Sequence, residues 1–195
     1  MASTLNVPNA ISMLRIGMVP VLLWLAWHRQ PAFTAVLVAT LLSDILDGFL
    51  ARRLNQQTRL GAQLDSWGDF LVILVYPFAA QWLRPIELKL NAGYAAVAAA
   101  AYCTPILFGF LKYHRLTSYH TRLMTITAYV MGVAMVCFFA GWSDIPFRCG
   151  CLLLLVAAME ELLISALLPQ WVENVRGYRT ALALRRQMRA HAAAS

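Results

Sequence analysis

Six apolar stretches, each near the length of a bilayer crossing, constrain this chain before any other feature does. They run from Asn9 to Trp27, Phe33 to Phe49, Ala62 to Trp82, Ala92 to Leu111, Met124 to Gly141 and Cys149 to Leu168, against the roughly 20 residues a helix needs to cross the hydrocarbon core. With 61% hydrophobic residues, 13% charged ones and a mean hydropathy of +0.62, the chain falls outside the soluble class. The expected fold is all-α: a polytopic membrane protein with six transmembrane helices forming one domain over residues 1–174, followed by a basic cytoplasmic tail over residues 175–195. Tyr178, Leu182, Leu184 and Met188 lie among five arginines in that tail, so a helix lying on the membrane surface and a frayed end are both compatible with it.

No Lys or Arg precedes the first stretch, no small-residue cleavage site follows it, and Arg15 and Pro20 lie within it. The expectation is a retained first span rather than a removable signal peptide, with Pro8 limiting its backward extension. Ser12 and Arg15 are one turn apart near its start, where a polar pair could contact a ligand or snorkel to the interface.

The cations set the expected orientation. Arg52, Arg53 and Arg59, then Lys112, Arg115 and Arg122, and finally the tail arginines Arg176, Arg179, Arg185, Arg186 and Arg189 fall on one side, against Arg29, Arg84, Lys89 and Arg148 on the other. The positive-inside rule places both termini and the 53–60 loop in the cytoplasm. A net charge of +7 spread over three juxtamembrane segments, without a nucleic-acid-binding motif, points to anionic lipid rather than nucleic acid. Cys103 and Cys137 fall inside apolar spans as expected inert buried thiols, and Cys149-Gly150-Cys151 lacks the second pair a zinc site needs.

Within this apolar chain, carboxylates recur at fixed spacing. Asp44, Asp47, Gly48 and Ala51 occupy i, i+3, i+4 and i+7, and Gly61, Asp65, Gly68 and Asp69 occupy i, i+4, i+7 and i+8, so each set lines one helix face. An acid at mid-membrane costs about 2.5–3.5 kcal/mol, and four would cost on the order of 10 kcal/mol before their repulsion is counted. Four carboxylates balance two divalent cations, and oxygen-only ligation selects Mg²⁺ or Mn²⁺. A metal pair serves in-line displacement at phosphorus, and small residues at Gly48, Ala51 and Gly61 let a nucleotide or pyrophosphate approach the backbone.

Asp44-x2-Asp47-Gly48-x2-Ala51-Arg52-x8-Gly61-x3-Asp65-x3-Asp69 resembles, position for position, the signature of the CDP-alcohol phosphotransferases, and the Pro8-Asn9 start is similar to that of phosphatidylglycerophosphate synthases. The resemblance implies a six-helix membrane domain, usually homodimeric, in a bacterial inner membrane with its site open to the cytoplasm. It implies that Asp44, Asp47, Asp65 and Asp69 bind two Mg²⁺ or Mn²⁺ ions, that Asp69 is also the catalytic base for the acceptor hydroxyl, and that Gly48, Ala51, Arg52 and Gly61 bind the donor nucleotide. The implied partners are CDP-diacylglycerol and a small polar alcohol, with CMP released. Glycerol 3-phosphate is the leading acceptor, and serine, inositol phosphate or a phosphatidylglycerol-like lipid are the alternatives. Phe70 stands where many members carry Lys, which bears on the subfamily more than on the chemistry.

Other readings remain open beside this one. The aspartates could be capping or salt-bridging acids partnered by Arg52, Arg53 and Arg59, although capping requires neither the doubled spacing nor the glycines. Paired acids on adjacent helices also suit a divalent-cation transporter, whose site would sit at the midplane on broken helices, and a silent scaffold would not need intact aspartates. Lys112, Arg115 and His120 are candidate acceptor-binding residues or an ordinary positive-inside loop. Of Glu160 and Glu161, at most one can face the bundle interior.

Overall fold

A computed structural model describes residues 7–54, 59–113, 121–168, 172, 175 and 177–194. Among these the structure is helical, with no strand: α1 (Val7–Trp27), α2 (Ala32–Arg53), α3 (Arg59–Leu83), α4 (Pro85–Leu90), α5 (Ala92–Tyr113), α6 (Arg122–Ala140), α7 (Ile145–Leu167) and α8 (Tyr178–Ala194). α1 starts at Val7 with Pro8 in its first turn, where the missing N–H has no intrahelical partner to lose.

Five helices, α1, α2, α5, α6 and α7, are long and apolar enough to cross a membrane, and the chain is a multi-pass integral membrane protein. The third expected span differs. α3 has 25 residues and is the longest helix, about 37 Å at 1.5 Å per residue, yet Gln63, Asp65, Ser66 and Asp69 make its first half polar. Length alone therefore does not make it a sixth apolar span. Helices also extend into the expected cytoplasmic turn, since α2 continues to Arg53 and α3 begins at Arg59.

The chain forms two compact units, residues 1–89 with 139–142, and residues 90–138 with 143–195. In the first, α1 packs against both α2 and α3. Its core is apolar and tightly buried: Leu22, Leu25 and Ala26 of α1, Phe33 and Leu37 of α2, and Val72, Val75 and Ala79 of α3. The Phe33 and Phe139 rings meet edge to face at 4.9 Å, and Trp27 meets Trp82 at 5.0 Å. Gly141, just past α6, has φ +74°, and the Arg84 guanidinium fills the space a Cβ would take there.

In the second unit α7 packs on α5 and α8. At one end of the α5–α7 pair, Arg148 Nε donates to Asn91 Oδ1 at 2.7 Å, Asn91 Nδ2 donates to Asp144 Oδ2 at 2.9 Å, and Arg148 Nη2 meets the same oxygen at 2.5 Å. The Asn91 amide, followed by the Arg148 guanidinium, holds the Asp144 carboxyl below its ordinary range. At the other end, Lys112 Nζ donates to the carbonyls of Ser165 (2.6 Å), Leu168 (2.9 Å) and Ala166 (3.4 Å), and Tyr113 Oη lies 2.9 Å from Ser165 O and Leu168 O. These contacts satisfy the carbonyls left open at the α7 C-terminus and place a cation at its negative end.

The expected tail forms α8, docked through Ala181 onto Ile164 of α7 and Leu168 just past its end, with Val175 completing the cluster. Glu160 Oε1 accepts the Tyr178 N–H at 3.2 Å, while Glu161 is the acid that turns inward, 5% exposed with Oε1 unpartnered. The four cysteines are free, with Cys151 buried and Cys103 exposed, so the expected burial of Cys103 does not hold.

Two consequences are measurable in detergent. Gly141→Ala must hold a Cβ-bearing residue at positive φ beside Arg84, and should destabilise the protein by about 1 kcal/mol in thermal unfolding. Because the folded state depresses the Asp144 carboxyl, its stabilisation is complete above about pH 4 and is lost as the pH falls through the folded value. Acid unfolding of Asp144→Asn should lack that component; a wild-type-like acid slope would refute the coupling.

Candidate active site

Four carboxylates converge on one guanidinium. α1 contributes Asn9, Ser12 and Arg15 at i, i+3 and i+6, all buried to within 3% of full enclosure. α2 brings Asp44 and Asp47 from one face, and α3 brings Asp65 and Asp69. Arg15 Nη1 lies 2.8 Å from Asp44 Oδ1, 3.1 Å from Asp65 Oδ1 and 3.4 Å from Asp69 Oδ1, and Nη2 lies 2.6 Å from Asp47 Oδ2. Ser12 Oγ donates to the same Asp47 oxygen at 2.9 Å.

Of the two readings open for Ser12 and Arg15, snorkelling does not hold: at 1% exposure the Arg15 charge is enclosed by acids instead of reaching for the interface. Its stem runs along Gly68 of α3, where a Cβ would sit 3.2 Å from Arg15 Cδ and 3.4 Å from Nη1. The glycine in the α3 stripe therefore makes room for an arginine of the protein itself. Arginine suits the task because its planar fork presents several donors from one always-charged group.

Exposure is graded through the cluster. The Asp47 side chain is 4% exposed, Asp44 34%, Asp65 46% and Asp69 52%. Asp47, with two short hydrogen bonds, forms a fixed floor, whereas Asp69 presents its carboxylate to whatever enters.

The donor set fits a hard divalent cation. Asp44, Asp47 and Asp65 each offer an oxygen lying within 4.8 Å of the others, with no nitrogen or sulfur ligand in that group. Asp69 is tied to the same centre through Nη1. Four carboxylates share one guanidinium, so the cluster has charge to spare for further cations.

Gly48 lies in α2, one residue beyond Asp47, and Gly61 in the first turn of α3, both half-buried. The helical backbone of α2 includes Ala51 and Arg52, whose side chains lie outside the described residues, as do Arg115 and His120. Lys112 is brought to the α7 carbonyls and to none of the aspartates. Sequence reasoning passed over Arg15 and Ser12 as partners of the cluster. The signal was present as a lone arginine in an apolar span, one turn from a serine, in a chain with four intramembrane acids lacking a cation.

A family model described as CDP-alcohol phosphatidyltransferase matches residues 5–168. Over 95 residues the chain is 42% identical to the CDP-diacylglycerol–glycerol-3-phosphate 3-phosphatidyltransferase of Aquifex aeolicus, a match covering 46% of this chain and 53% of that protein. It is 41% identical over 96 residues to the CMP-forming cardiolipin synthase of Streptomyces coelicolor, covering 45% and 44%. With the Pseudomonas fluorescens CDP-diacylglycerol–glycerol-3-phosphate 3-phosphatidyltransferase the identity is 38% over 76 residues, covering 36% and 38%. The chain thus spans about half the length, or less, of these curated relatives.

Ser12→Ala removes a buried hydrogen bond to a charged acceptor, and should cost about 1.5–3 kcal/mol in thermal unfolding of the metal-free protein. A loss below about 0.5 kcal/mol would mean that Asp47 is held by Arg15 alone.

Proposed function

The chain belongs to the CDP-alcohol phosphatidyltransferase family, and from that premise we propose that it transfers a phosphatidyl group from CDP-diacylglycerol to an alcohol, with glycerol 3-phosphate as the leading acceptor and CMP as the leaving product. The observation that carries this reading is the convergence of Asp44, Asp47, Asp65 and Asp69 from two helices onto one centre. Two relatives whose names specify glycerol 3-phosphate support that acceptor. The cardiolipin synthase name of a third supports a lipid alcohol, such as a phosphatidylglycerol-like acceptor, as the second reading.

Asp44, Asp47, Asp65 and Asp69 would hold two Mg²⁺ or Mn²⁺ ions. When bound, such ions neutralise the phosphoryl oxygens and orient the pyrophosphate for in-line attack. Gly48, Ala51 and Gly61 leave the backbone open to the donor nucleotide, and Arg52 supplies a cation one residue further along α2. Asp69, the most exposed of the four, accepts the proton of the acceptor hydroxyl. The hydroxyl oxygen forms a bond to the phosphorus that carries the diacylglycerol unit, the bond from that phosphorus to the bridging oxygen breaks, and CMP departs with the bonding electrons. The floor formed by Asp47 and Ser12 is already ordered before substrates arrive, which reduces the reorganisation needed for reaction.

Arg115 and His120 are the remaining acceptor candidates, since Lys112 is engaged at the α7 terminus. The site opens to the cytoplasm in this reading, and the active form is a homodimer.

Purified protein supplied with CDP-diacylglycerol, Mg²⁺ or Mn²⁺ and separate acceptors should release CMP with glycerol 3-phosphate, and EDTA should abolish release. CMP formation with phosphatidylglycerol alone would transfer the assignment to the second reading; none with any alcohol would overturn the activity. Asp69→Asn should lower turnover by about 10²–10⁴-fold while CDP-diacylglycerol still binds, and turnover equal to wild type would remove Asp69 from the base role.

A further inference from the structure

We propose that Arg15 is an exchangeable internal counter-ion: its guanidinium holds the four aspartates together in the metal-free protein and withdraws from between them when divalent cations are taken up. The inference rests on the metal-dependent reading above and adds to it that metal uptake is a cation exchange.

The position of the guanidinium is the first reason. Nη1 touches carboxylates from both α2 and α3, and Nη2 touches the most buried one, so every acid in the cluster has an oxygen already engaged by Arg15. Oxygens of Asp44, Asp47 and Asp65 lying within 4.8 Å of one another enclose space for one cation between them. A guanidinium nitrogen and a divalent ion cannot share that space, because like charges at such separations repel strongly where water is scarce.

The second reason is that the cluster needs a cation at all times. Removing one partner from a buried ion cluster leaves uncompensated charge and is strongly destabilising. Asp47 is almost fully enclosed, and the metal-free fold would bring four carboxylates from two helices into mutual repulsion without Arg15. A tethered cation keeps α2 and α3 in register until diffusible cations arrive.

The third reason is that the pose is not one of a permanent structural bridge. Arg15 Nε is buried with no acceptor, a deficiency that a purely structural arginine would be expected to satisfy. The stem lies against Gly68, where a Cβ would stand 3.2 Å from Cδ and 3.4 Å from Nη1, so the glycine keeps α3 from pinning the stem with a side chain.

The test compares full-length wild type, Arg15→Gln and Arg15→Lys, each stripped of metal in detergent, by Mn²⁺ titration followed with electron paramagnetic resonance and by thermal unfolding with and without Mn²⁺. Arg15→Gln should bind Mn²⁺ at least about tenfold more tightly than wild type, should unfold at a lower temperature without metal, and should regain most of that loss with metal; the fold-change corresponds to about 1.4 kcal/mol. Arg15→Lys, which keeps the charge but loses the fork, should fall between. Equal or weaker Mn²⁺ binding by Arg15→Gln would overturn the proposal. Should that variant not fold, wild type labelled with ¹⁵N-arginine decides: the Arg15 guanidinium hydrogens should exchange slowly without metal and fast at saturating Mg²⁺, and exchange at the same rate in both states would overturn the proposal equally. Wild type that binds no divalent ion would instead bring down the metal-dependent reading, and the exchange with it.

Discussion

Like charges on two helices can converge in a low-dielectric setting only around a cation, and in this protein the first helix supplies one. Arg15 is the point on which the surrounding arrangement depends. It explains why α1 packs against both aspartate-bearing helices, why α3 has a glycine at Gly68, and why Ser12 sits one turn away to complete the shell of Asp47. A guanidinium on a hydrophobic helix would ordinarily be a costly inclusion. Surrounded by four carboxylates, it offsets a larger penalty than it brings.

Much of this was legible in the chain. The apolar stretches located the long helices, and the i, i+3 and i, i+4 phases placed Asp44 with Asp47 and Asp65 with Asp69 on shared faces because helical period is a local property. What the phases could not supply was the third helix. The aspartate stripes marked one face on each of α2 and α3, whereas α1 carries the group at which they meet; such a contact between residues 50 or more positions apart has no local signature. Charge balance was the one sequence-level clue that could have identified Arg15.

Two other departures have the same physical origin. Lys112 read as a candidate acceptor-binding residue or part of a positive-inside loop because a polar loop conceals what its chain end reaches; its long stem carries the ammonium to the open carbonyls of α7, an acceptor set that sequence does not display. α3 read as an ordinary span from its apolar second half, but its first half is polar because it must carry the site. In each case a local pattern was right about the helix and silent about what its end had to satisfy. The glutamate pair was better anticipated: adjacent positions 100° apart left Glu161 buried and Glu160 free to reach Tyr178.

The graded exposure from Asp47 to Asp69 makes the cluster a dielectric ramp. At its dry end, electrostatic forces are long-ranged and little softened, so charges there fix geometry. At its wet end, water screens the same forces, and a carboxylate can change partners without disturbing the register of the helices beneath it. One continuous set of four identical side chains thereby provides both a rigid electrostatic foundation and a chemically labile rim, distinguished only by how far each lies from water.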